Sequence, residues 1–195
     1  MASDERFTFN PKYRTDKFET GLMAIYTEQF EAIRNQPLRM LEIGVGLGGA
    51  TAFFADYFSH VDTRIFGIDI FLPDLRKRHM HHVESGRIEF IECDQMDAEK
   101  LLQIAEAHGP FDIIIDDGAH RLAETKNCFE HLQPFIKKGG YYIIEDFNAQ
   151  FMGKEYKGIL PYVMGLARKA AAMKMLNYTI HSSFRCSTAI FRSNI

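Results

Sequence analysis

The chain has 195 residues, of which 46% are hydrophobic and 25% charged, and this composition excludes a disordered, collagen-like or coiled-coil protein. The formal net charge of -3, with lysines and arginines spread along the chain, disfavours a nucleic-acid partner. The charged start lacks an apolar signal segment, and no apolar run approaches the ~18 residues of a membrane span, so we expect a cytoplasmic protein without a membrane partner.

Seven apolar runs rich in Ile, Val, Phe and Tyr predict β-strands. In chain order these runs are Arg39–Val45, Arg64–Ile70, Ile88–Cys93, Phe111–Asp116, Gly140–Glu145, Asn177–Ser182 and Thr188–Arg192. The stretches between the first five runs have helical periodicity, for example at Ala50–Phe58 and Leu101–Ala107. Such alternation is typical of a parallel sheet covered on both faces. We expect Gly139 and Gly140 to form a turn before the fifth strand.

The last two predicted strands interrupt this pattern. Only five residues, 183–187, separate them, which is too short for a parallel crossover and predicts an antiparallel hairpin. The predicted fold is therefore an α/β, Rossmann-like, doubly wound seven-stranded sheet, mostly parallel, with a C-terminal antiparallel hairpin. We expect residues 1–35 to form a helical preface that packs on a main domain of residues 36–195.

A glycine-rich loop follows the first predicted strand. Gly44, Gly46 and Gly49 match the pattern G-x-G-x-x-G, in which the missing Cβ atoms let a ligand approach the backbone closely. Asp69 lies twenty positions after Gly49, at the end of the second strand, where a carboxylate can accept hydrogen bonds from a ribose. The first half of the chain is therefore predicted to bind a nucleoside, which both NAD and S-adenosylmethionine contain.

Three features favour S-adenosylmethionine over NAD: Glu42 stands two residues before the first glycine, Asp94 follows the third strand, and the chain closes with a hairpin. Together with the E-x-G-x-G loop, they resemble the class I methyltransferases. The resemblance implies that Glu42, Gly44 and Gly46 hold the methionine part of the cofactor. It also implies that Asp69 holds the ribose and that Asp94 lies near the adenine.

Acidic residues follow both the fourth and the fifth predicted strands. Asp116 and Asp117 end the fourth, and Glu145 and Asp146 end the fifth. In a parallel sheet these ends share one edge, so we expect the four carboxylates within about 5–10 Å of one another. Their repulsion requires protons or a cation, and all-oxygen ligation favours Mg²⁺ over Zn²⁺ while leaving Mn²⁺ and Ca²⁺ open. The alternative is that some of these acids only cap the following helices.

Three short segments carry a narrower resemblance. They read Y-R-T-D-K at 13–17, D-D-G-A-H at 116–120 and I-E-D at 144–146. The set resembles the magnesium-dependent sugar O-methyltransferases of macrolide and related natural-product pathways, and the cephalosporin-pathway enzymes that share their domain. This resemblance implies that Asp117, Glu145 and Asp146 are metal ligands. It implies that His120 is the catalytic base, acting beside Asp117, and that Asp116 lies nearer the cofactor.

The same resemblance implies cofactor contacts by Tyr13, Thr15 and Lys17, although Arg14 stands where the group usually has glycine. The extra N-terminal domain of some macrolide enzymes has no counterpart in this chain, so the sequence leaves acceptor recognition largely unassigned.

The resemblance implies an O-methyltransferase whose cofactors are S-adenosylmethionine and Mg²⁺ and whose small-molecule acceptor is a sugar or a glycosylated natural product. Binding the acceptor hydroxyl to Mg²⁺ would lower its pKa and allow His120 to take the proton. The alternatives are a catechol-type metal-dependent O-methyltransferase, which typically has Asp-Asn in place of Glu145-Asp146, an NAD-dependent oxidoreductase, and a non-catalytic cofactor-binding protein. The sequence leaves a homo-oligomer open.

Overall fold

The computed structural model describes residues 12–72, 74–151, 153–173, 176–182 and 186–194, with side chains described in these ranges except at 150, 151 and 172–177. The first eleven residues of the predicted preface therefore lie outside the described residues. The same holds for residues 183–185 of the predicted hairpin turn.

In the described part of the chain, seven strands form one sheet. They are β1 (Arg39–Ile43), β2 (Arg64–Asp69), β3 (Ile88–Glu92), β4 (Phe111–Asp116), β5 (Ile136–Glu145), β6 (Leu176–Ser182) and β7 (Ser187–Ser193). The spatial order is β3-β2-β1-β4-β5-β7-β6, in which β1 to β5 are parallel and β7 pairs antiparallel with both β5 and β6. The predicted parallel sheet with a terminal antiparallel hairpin is therefore confirmed.

Helices connect the strands and cover the sheet. In the described ranges they are α1 (Leu22–Phe30), α2 (Gly49–Tyr57), α3 (Leu75–Arg78), α4 (Met80–Glu84), α5 (Ala98–His108), α6 (Leu122–Leu132) and α7 (Ile159–Met173), with 3-10 turns at Glu31–Ile33, Gln133–Phe135, Phe147–Phe151 and Lys154–Tyr156. The helical stretches predicted after the first and third strands correspond to α2 and α5. None of the helices in these ranges has both the length and the apolar character that crossing a bilayer requires.

Two apolar layers cover opposite faces of the sheet, because successive side chains of a strand point to opposite faces. On one face, Ile113 and Ile143 pack with α1 and α2. On the other face, Ile114 and Ile144 pack with α5, α6 and α7. The continuous apolar runs of the central strands are therefore explained by burial on both sides.

Strand β5 begins earlier than predicted. The expected turn at Gly139 and Gly140 is wrong, because both glycines lie inside β5. A Cβ atom at Gly140 would lie 2.8 Å from the Asp112 carbonyl oxygen, so the backbone of β4 approaches too closely for a side chain. The pairing of β4 with β5 shifts register nearby, between Phe111 and Ile113. Residues 137–140 form a bulge within β5, because the pairing passes from Ile136 to Tyr141 while β4 advances only from Phe111 to Ile113. Gly139 has a φ angle of 79°, which glycine adopts without strain.

The carboxyl ends of the parallel strands meet at one edge of the sheet, which is where open α/β sheets bind ligands. Asp116 pairs with Ile144 across β4 and β5, so the next residues, Asp117 and Glu145, are neighbours on one face. Glu145 also pairs with Thr188 of β7. The topology thus brings the acidic ends of two strands together.

Helix α1 packs in the apolar layer that contains Ile113 and Ile143. Phe30 is fully buried, and its ring centroid lies 5.8 Å from that of Tyr26, 6.3 Å from that of Phe54 and 5.5 Å from that of Tyr141. These rings come from α1, α2 and β5. The boundary between a preface and a main domain at residue 35 stays a prediction.

Truncating Phe30 should destabilise the sheet as well as α1. Phe30→Ala leaves a cavity in the layer and is expected to lower the free energy of unfolding by about 3–5 kcal/mol, measured by urea denaturation. Val61, which is 77% exposed, provides the control, since Val61→Ala should change that free energy by less than ~0.5 kcal/mol. Two separate transitions, with only one shifted by Phe30→Ala, would contradict a shared core.

Candidate active site

The loop between β1 and α2 lines a crevice at the sheet edge. Gly44 and Gly46 have positive φ angles of 82° and 52°, which glycine adopts without strain. A Cβ atom at Gly44 would collide with the Asp117 carbonyl oxygen, whereas a Cβ atom at Gly46 would enter open space. The loop therefore packs tightly against the end of β4 and still leaves its backbone accessible to a ligand.

The first cavity of this crevice has a volume of about 540 Å³ and extends from the glycine loop to the ends of β2 and β3. Asp69 lines it and accepts hydrogen bonds from the Gly46 amide at 2.9 Å and the Phe71 amide at 3.2 Å. Asp94 also lines it and accepts one from the Met96 amide at 2.8 Å. Backbone groups thus orient both carboxylates, which keep further lone pairs for a ligand.

A second cavity of about 290 Å³ shares the glycine loop with the first. Glu42 lines it, is 1% exposed, and accepts a hydrogen bond from the Thr51 hydroxyl at 2.5 Å. Burial raises the pKa of Glu42 to about 8, even though the charge of Lys17 and the Thr51 hydrogen bond act to lower it. A cationic ligand in this cavity would favour the ionised carboxylate.

A third cavity of about 250 Å³, here called the polar cavity, lies between the N-terminal segment and the ends of β4 and β5. Its described lining residues are Asp16, Lys17, Thr20, Leu22, Asp117, His120, Glu145, Asp146 and Cys186. Three of them, Asp16, Lys17 and Asp117, also line the second cavity. Because Asp117 lines all three cavities, they adjoin at the end of β4.

A buried lysine bridges the carboxylates of β4 and β5. Lys17 Nζ lies 2.6 Å from Asp117 Oδ2 and 2.6 Å from Glu145 Oε2, and the lysine side chain is only 5% exposed. Burial lowers the pKa of Lys17, but the charges of Asp117, Glu145 and Glu42 outweigh it and raise the pKa well above its ordinary value. Lys17 is therefore a resident cation among the crowded carboxylates.

Glu145 is held by two donors. Its Oε2 accepts from Lys17, and its Oε1 accepts from the Tyr26 hydroxyl at 2.7 Å. Glu145 is 1% exposed, and burial together with the charge of Asp117 raises its pKa to about 7 despite the opposing effects of Lys17 and Tyr26. Because Tyr26 belongs to α1, the N-terminal helix contributes directly to this site.

Asp117, His120 and Asp146 form a compact group. One potential ligand atom of each lies within 4.8 Å of the others, and His120 Nε2 is 3.7 Å from Asp117 Oδ1. His120 and Asp146 have φ angles of 55° and 49°. Such left-handed conformations are uncommon for residues other than glycine, and they persist where the surrounding structure has to aim a side chain.

The donor set of this group fits a divalent cation. The carboxylate oxygens of Asp117 and Asp146 suit Mg²⁺, Ca²⁺ or Mn²⁺, whereas an imidazole nitrogen such as that of His120 is a more usual ligand of Zn²⁺. Burial raises the pKa of Asp117 to about 6 and also raises that of Asp146, and a bound cation would favour ionisation of both. Glu145 lies outside the 4.8 Å group, since its oxygens face Lys17 and Tyr26, and its role as a ligand stays a prediction.

The residues of the Y-R-T-D-K segment are placed differently from one another. Thr15 lines the second cavity. Tyr13 lines none of the three cavities, because its hydroxyl donates to Asp56 Oδ2 of α2 at 2.9 Å. The Tyr13 carbonyl instead packs on Gly49, where a Cβ atom would collide with it. The segment thus reaches the glycine loop through its backbone.

Asp116 is separated from the cavities. It precedes Asp117 in sequence and faces the opposite layer, where burial raises its pKa to about 8 and where it interacts electrostatically with Cys128 and Tyr142. Its Oδ2 has no hydrogen-bond partner among the described residues. Asp116 lines none of the three cavities, and its implied position nearer the cofactor stays a prediction.

Two residues at the site had no recognisable sequence signal. Tyr26 is one, because only the fold brings α1 to Glu145. Gln95 is the other: it lines the first cavity, and its Oε1 accepts a hydrogen bond from the Ala119 amide at 2.8 Å. Gln95 thereby ties the loop after β3 to the loop after β4.

A family model described as Rhamnosyl O-methyltransferase/CmcI matches residues 22–190, which include almost every element described above. The chain belongs to this family. The family match covers α1, the glycine loop and the acidic ends of β4 and β5 in a single alignment.

This chain is similar to several characterised O-methyltransferases over part of its length. One is an 8-demethyl-8-(2-methoxy-alpha-L-rhamnosyl)-tetracenomycin-C 3'-O-methyltransferase from Streptomyces olivaceus, 38% identical over 129 residues that cover 63% of this chain and 31% of the relative. Another is a mycinamicin VI 2''-O-methyltransferase from Micromonospora griseorubida, 41% identical over 128 residues that cover 62% of this chain and 30% of the relative. The matched part is about a third of each relative's length.

A solved structure supports the same placement. The MycE methyltransferase from the mycinamycin biosynthetic pathway, in complex with Mg, SAH and mycinamycin VI, is 31% identical with a TM-score of 0.67, over 88% of this chain and 49% of that chain. This member of the rhamnosyl O-methyltransferase/CmcI family thus spans about half of the MycE chain.

The buried Glu42 predicts a pH dependence of stability. Its pKa is about 8 in the folded chain and ordinarily 4.5, so the folded state binds more protons than the unfolded state between these values. The contribution of Glu42 to stability should therefore be full below about pH 4.5 and fall towards pH 8, by at most ~1.4 kcal/mol per pH unit. Glu42→Gln should make the decline shallower, as measured by urea unfolding of metal-free protein between pH 5 and pH 8.

The matched control is Glu89→Gln, at an exposed position of β3, which should retain the wild-type slope. Equal slopes for wild type and Glu42→Gln would show that Glu42 is ionised in the unliganded site.

Proposed function

We propose that the chain is an S-adenosylmethionine-dependent O-methyltransferase that methylates a hydroxyl of a sugar or glycosylated natural product, using Mg²⁺ and a histidine base. The observation that carries this proposal is the contact between the second cavity and the polar cavity, which share Asp16, Lys17 and Asp117. A donor on one side and an acceptor on the other could be aligned there, and alignment contributes up to ~7–11 kcal/mol to such displacements. The names of the relatives and the contents of the MycE complex support the same reading.

The first two cavities suit the methyl donor. Glu42 would take the ammonium of its methionine part beside Gly44 and Gly46, whose backbone allows close approach. Asp69 would accept hydrogen bonds from the ribose, and Asp94 would lie beside the adenine, since both line the larger cavity. This order along the crevice would direct the sulfonium methyl group towards the polar cavity.

In the polar cavity, Asp117 and Asp146 would hold Mg²⁺, with Glu145 as the third implied ligand. When bound, the cation would supply a Lewis acid that lowers the pKa of the acceptor hydroxyl. His120 accepts the hydroxyl proton as the acceptor oxygen bonds to the methyl carbon and the carbon–sulfur bond breaks, leaving its electron pair on sulfur. Asp117, whose Oδ1 lies 3.7 Å from His120 Nε2, would stabilise the resulting imidazolium.

The walls of the polar cavity favour a sugar over a catechol. None of its nine described lining residues is Phe, Tyr or Trp, and seven are charged, bear a hydroxyl or carry an imidazole. Its volume of about 250 Å³ is below the ~300–1,000 Å³ typical of small-molecule pockets. The cavity therefore suits one polar ring of an acceptor, with the remainder outside. An NAD-dependent oxidoreductase is disfavoured by the antiparallel β7 between β5 and β6 and by the family match.

The proposal leaves three expectations from the sequence as predictions: a cytoplasmic location, a small-molecule acceptor with no nucleic-acid or membrane partner, and a homo-oligomer as an open question.

The proposed roles of His120 and Asp146 can be separated by experiment. Metal-stripped protein is incubated with S-adenosylmethionine and a panel of rhamnosides and macrolide glycosides, with and without Mg²⁺, and methylated product is measured by mass spectrometry. His120→Ala should lower kcat by about 10²–10⁴ while Mg²⁺ affinity stays within a few-fold. Asp146→Asn should instead lower Mg²⁺ affinity, measured by isothermal titration calorimetry.

The control is His81→Ala, at an exposed position of α4, which should keep wild-type kcat. Binding of NAD in place of S-adenosylmethionine would sink the methyltransferase proposal. Transfer to catechols with none to glycosides would replace the proposed acceptor class.

A further inference from the structure

We propose that Lys17 is a positioning residue of the divalent-cation site, which with Tyr26 holds Asp117 and Glu145 so that the cation can bind in the polar cavity. This inference rests on the proposed function, because it concerns the cation which that function uses. It gives Lys17 a task other than the cofactor contact implied by the family resemblance.

The two carboxylate oxygens of Asp117 face different partners. Oδ2 accepts a hydrogen bond from Lys17 Nζ at 2.6 Å, while Oδ1 lies 3.7 Å from His120 Nε2. With Oδ2 held by a buried ammonium, rotation of the carboxylate is restricted and Oδ1 stays directed towards His120. The compact group of these three residues within 4.8 Å therefore depends on a bond made outside it.

Glu145 is oriented in the same way from two sides. Lys17 donates to Oε2 at 2.6 Å and Tyr26 donates to Oε1 at 2.7 Å. Each carboxylate oxygen has a second lone-pair direction, so both bonds can persist when a further ligand arrives. Such outer partners commonly set the geometry and affinity of a metal site.

The segment that carries Lys17 is anchored before and after it. The Lys17 carbonyl accepts a hydrogen bond from the Met23 amide at 2.9 Å, and the Lys17 amide donates to Thr15 Oγ1 at 3.4 Å. The Tyr13 carbonyl packs on Gly49. The ammonium is therefore presented by fixed backbone, as a positioning role requires.

A lysine so close to carboxylates could instead occupy the place of the metal ion. The two roles predict opposite effects: removing a competing ammonium would strengthen Mg²⁺ binding to the more negative site, whereas removing a positioning ammonium would weaken it. The bonding pattern favours positioning, because Lys17 holds Asp117 Oδ2 while Oδ1 faces His120.

The test is isothermal titration calorimetry of the metal-stripped full chain with MgCl₂ and, separately, with S-adenosylhomocysteine. Lys17→Met should weaken Mg²⁺ binding by about 10- to 100-fold. The affinity for S-adenosylhomocysteine, measured at a Mg²⁺ concentration that saturates the wild-type protein, should change by a smaller factor. Tyr26→Phe removes one hydroxyl and should weaken Mg²⁺ binding by about tenfold, at the lower end of the same range. Circular dichroism shows whether Lys17→Met folds. If it does not fold, Tyr26→Phe tests the same proposal.

The matched control is Lys12→Met, in the same segment, where Lys12 is 66% exposed and pairs with Asp56. This variant should bind Mg²⁺ as wild type does. Tighter or unchanged Mg²⁺ binding in Lys17→Met, or in Tyr26→Phe where the former does not fold, would overturn the positioning role alone. Failure of wild type to bind Mg²⁺ would overturn the proposed metal dependence, and this inference with it.

Discussion

The buried ion cluster of Lys17 with Asp117 and Glu145 is the interaction on which the arrangement of the site depends. Parallel strands end side by side, so carboxylates at adjacent strand ends repel one another unless a cation lies between them. Here one ammonium contacts both at 2.6 Å. Removing one partner of a buried ion pair typically costs about 3–5 kcal/mol. The N-terminal segment is therefore held at the carboxyl ends of β4 and β5 by charge, in addition to the apolar packing of α1.

The order of the strands places two different cavities on either side of the glycine loop that follows β1. Strand β1 pairs with β2 on one side and β4 on the other, so its glycine loop lies at the point where the chain changes direction across the sheet, the usual ligand site of such folds. The β2 and β3 ends present Asp69 and Asp94 to the larger cavity, and the β4 and β5 ends present Asp117 and Asp146 to the polar cavity. The proposed methyl donor and its acceptor would therefore occupy separate but adjoining cavities.

Hydrophobic periodicity and the parallel topology predicted the sheet, the terminal hairpin and the proximity of Asp117, Glu145 and Asp146 at one sheet edge. The fourth acidic residue of that prediction, Asp116, faces the opposite layer. The same logic could not identify Lys17 as a counter-ion or Tyr26 as a donor, since each lies more than 90 residues from its partners and is brought there by tertiary packing. Strict alternation along a strand could have separated Asp116 from Asp117, whose side chains face opposite layers. The early start of β5 depended on a close backbone approach at Gly140, which has no pattern in the sequence.

The most direct test of this site is a crystal structure of the protein soaked with Mn²⁺ in the presence of S-adenosylhomocysteine, with the ion located by its anomalous scattering. We predict one strong peak in the polar cavity, bonded to Asp117 and Asp146, with Lys17 Nζ still on Asp117 Oδ2 and Glu145, and the ligand's sulfur directed to that cavity. A peak elsewhere, or none at a saturating Mn²⁺ concentration, would contradict a metal-assisted transfer at the ends of β4 and β5.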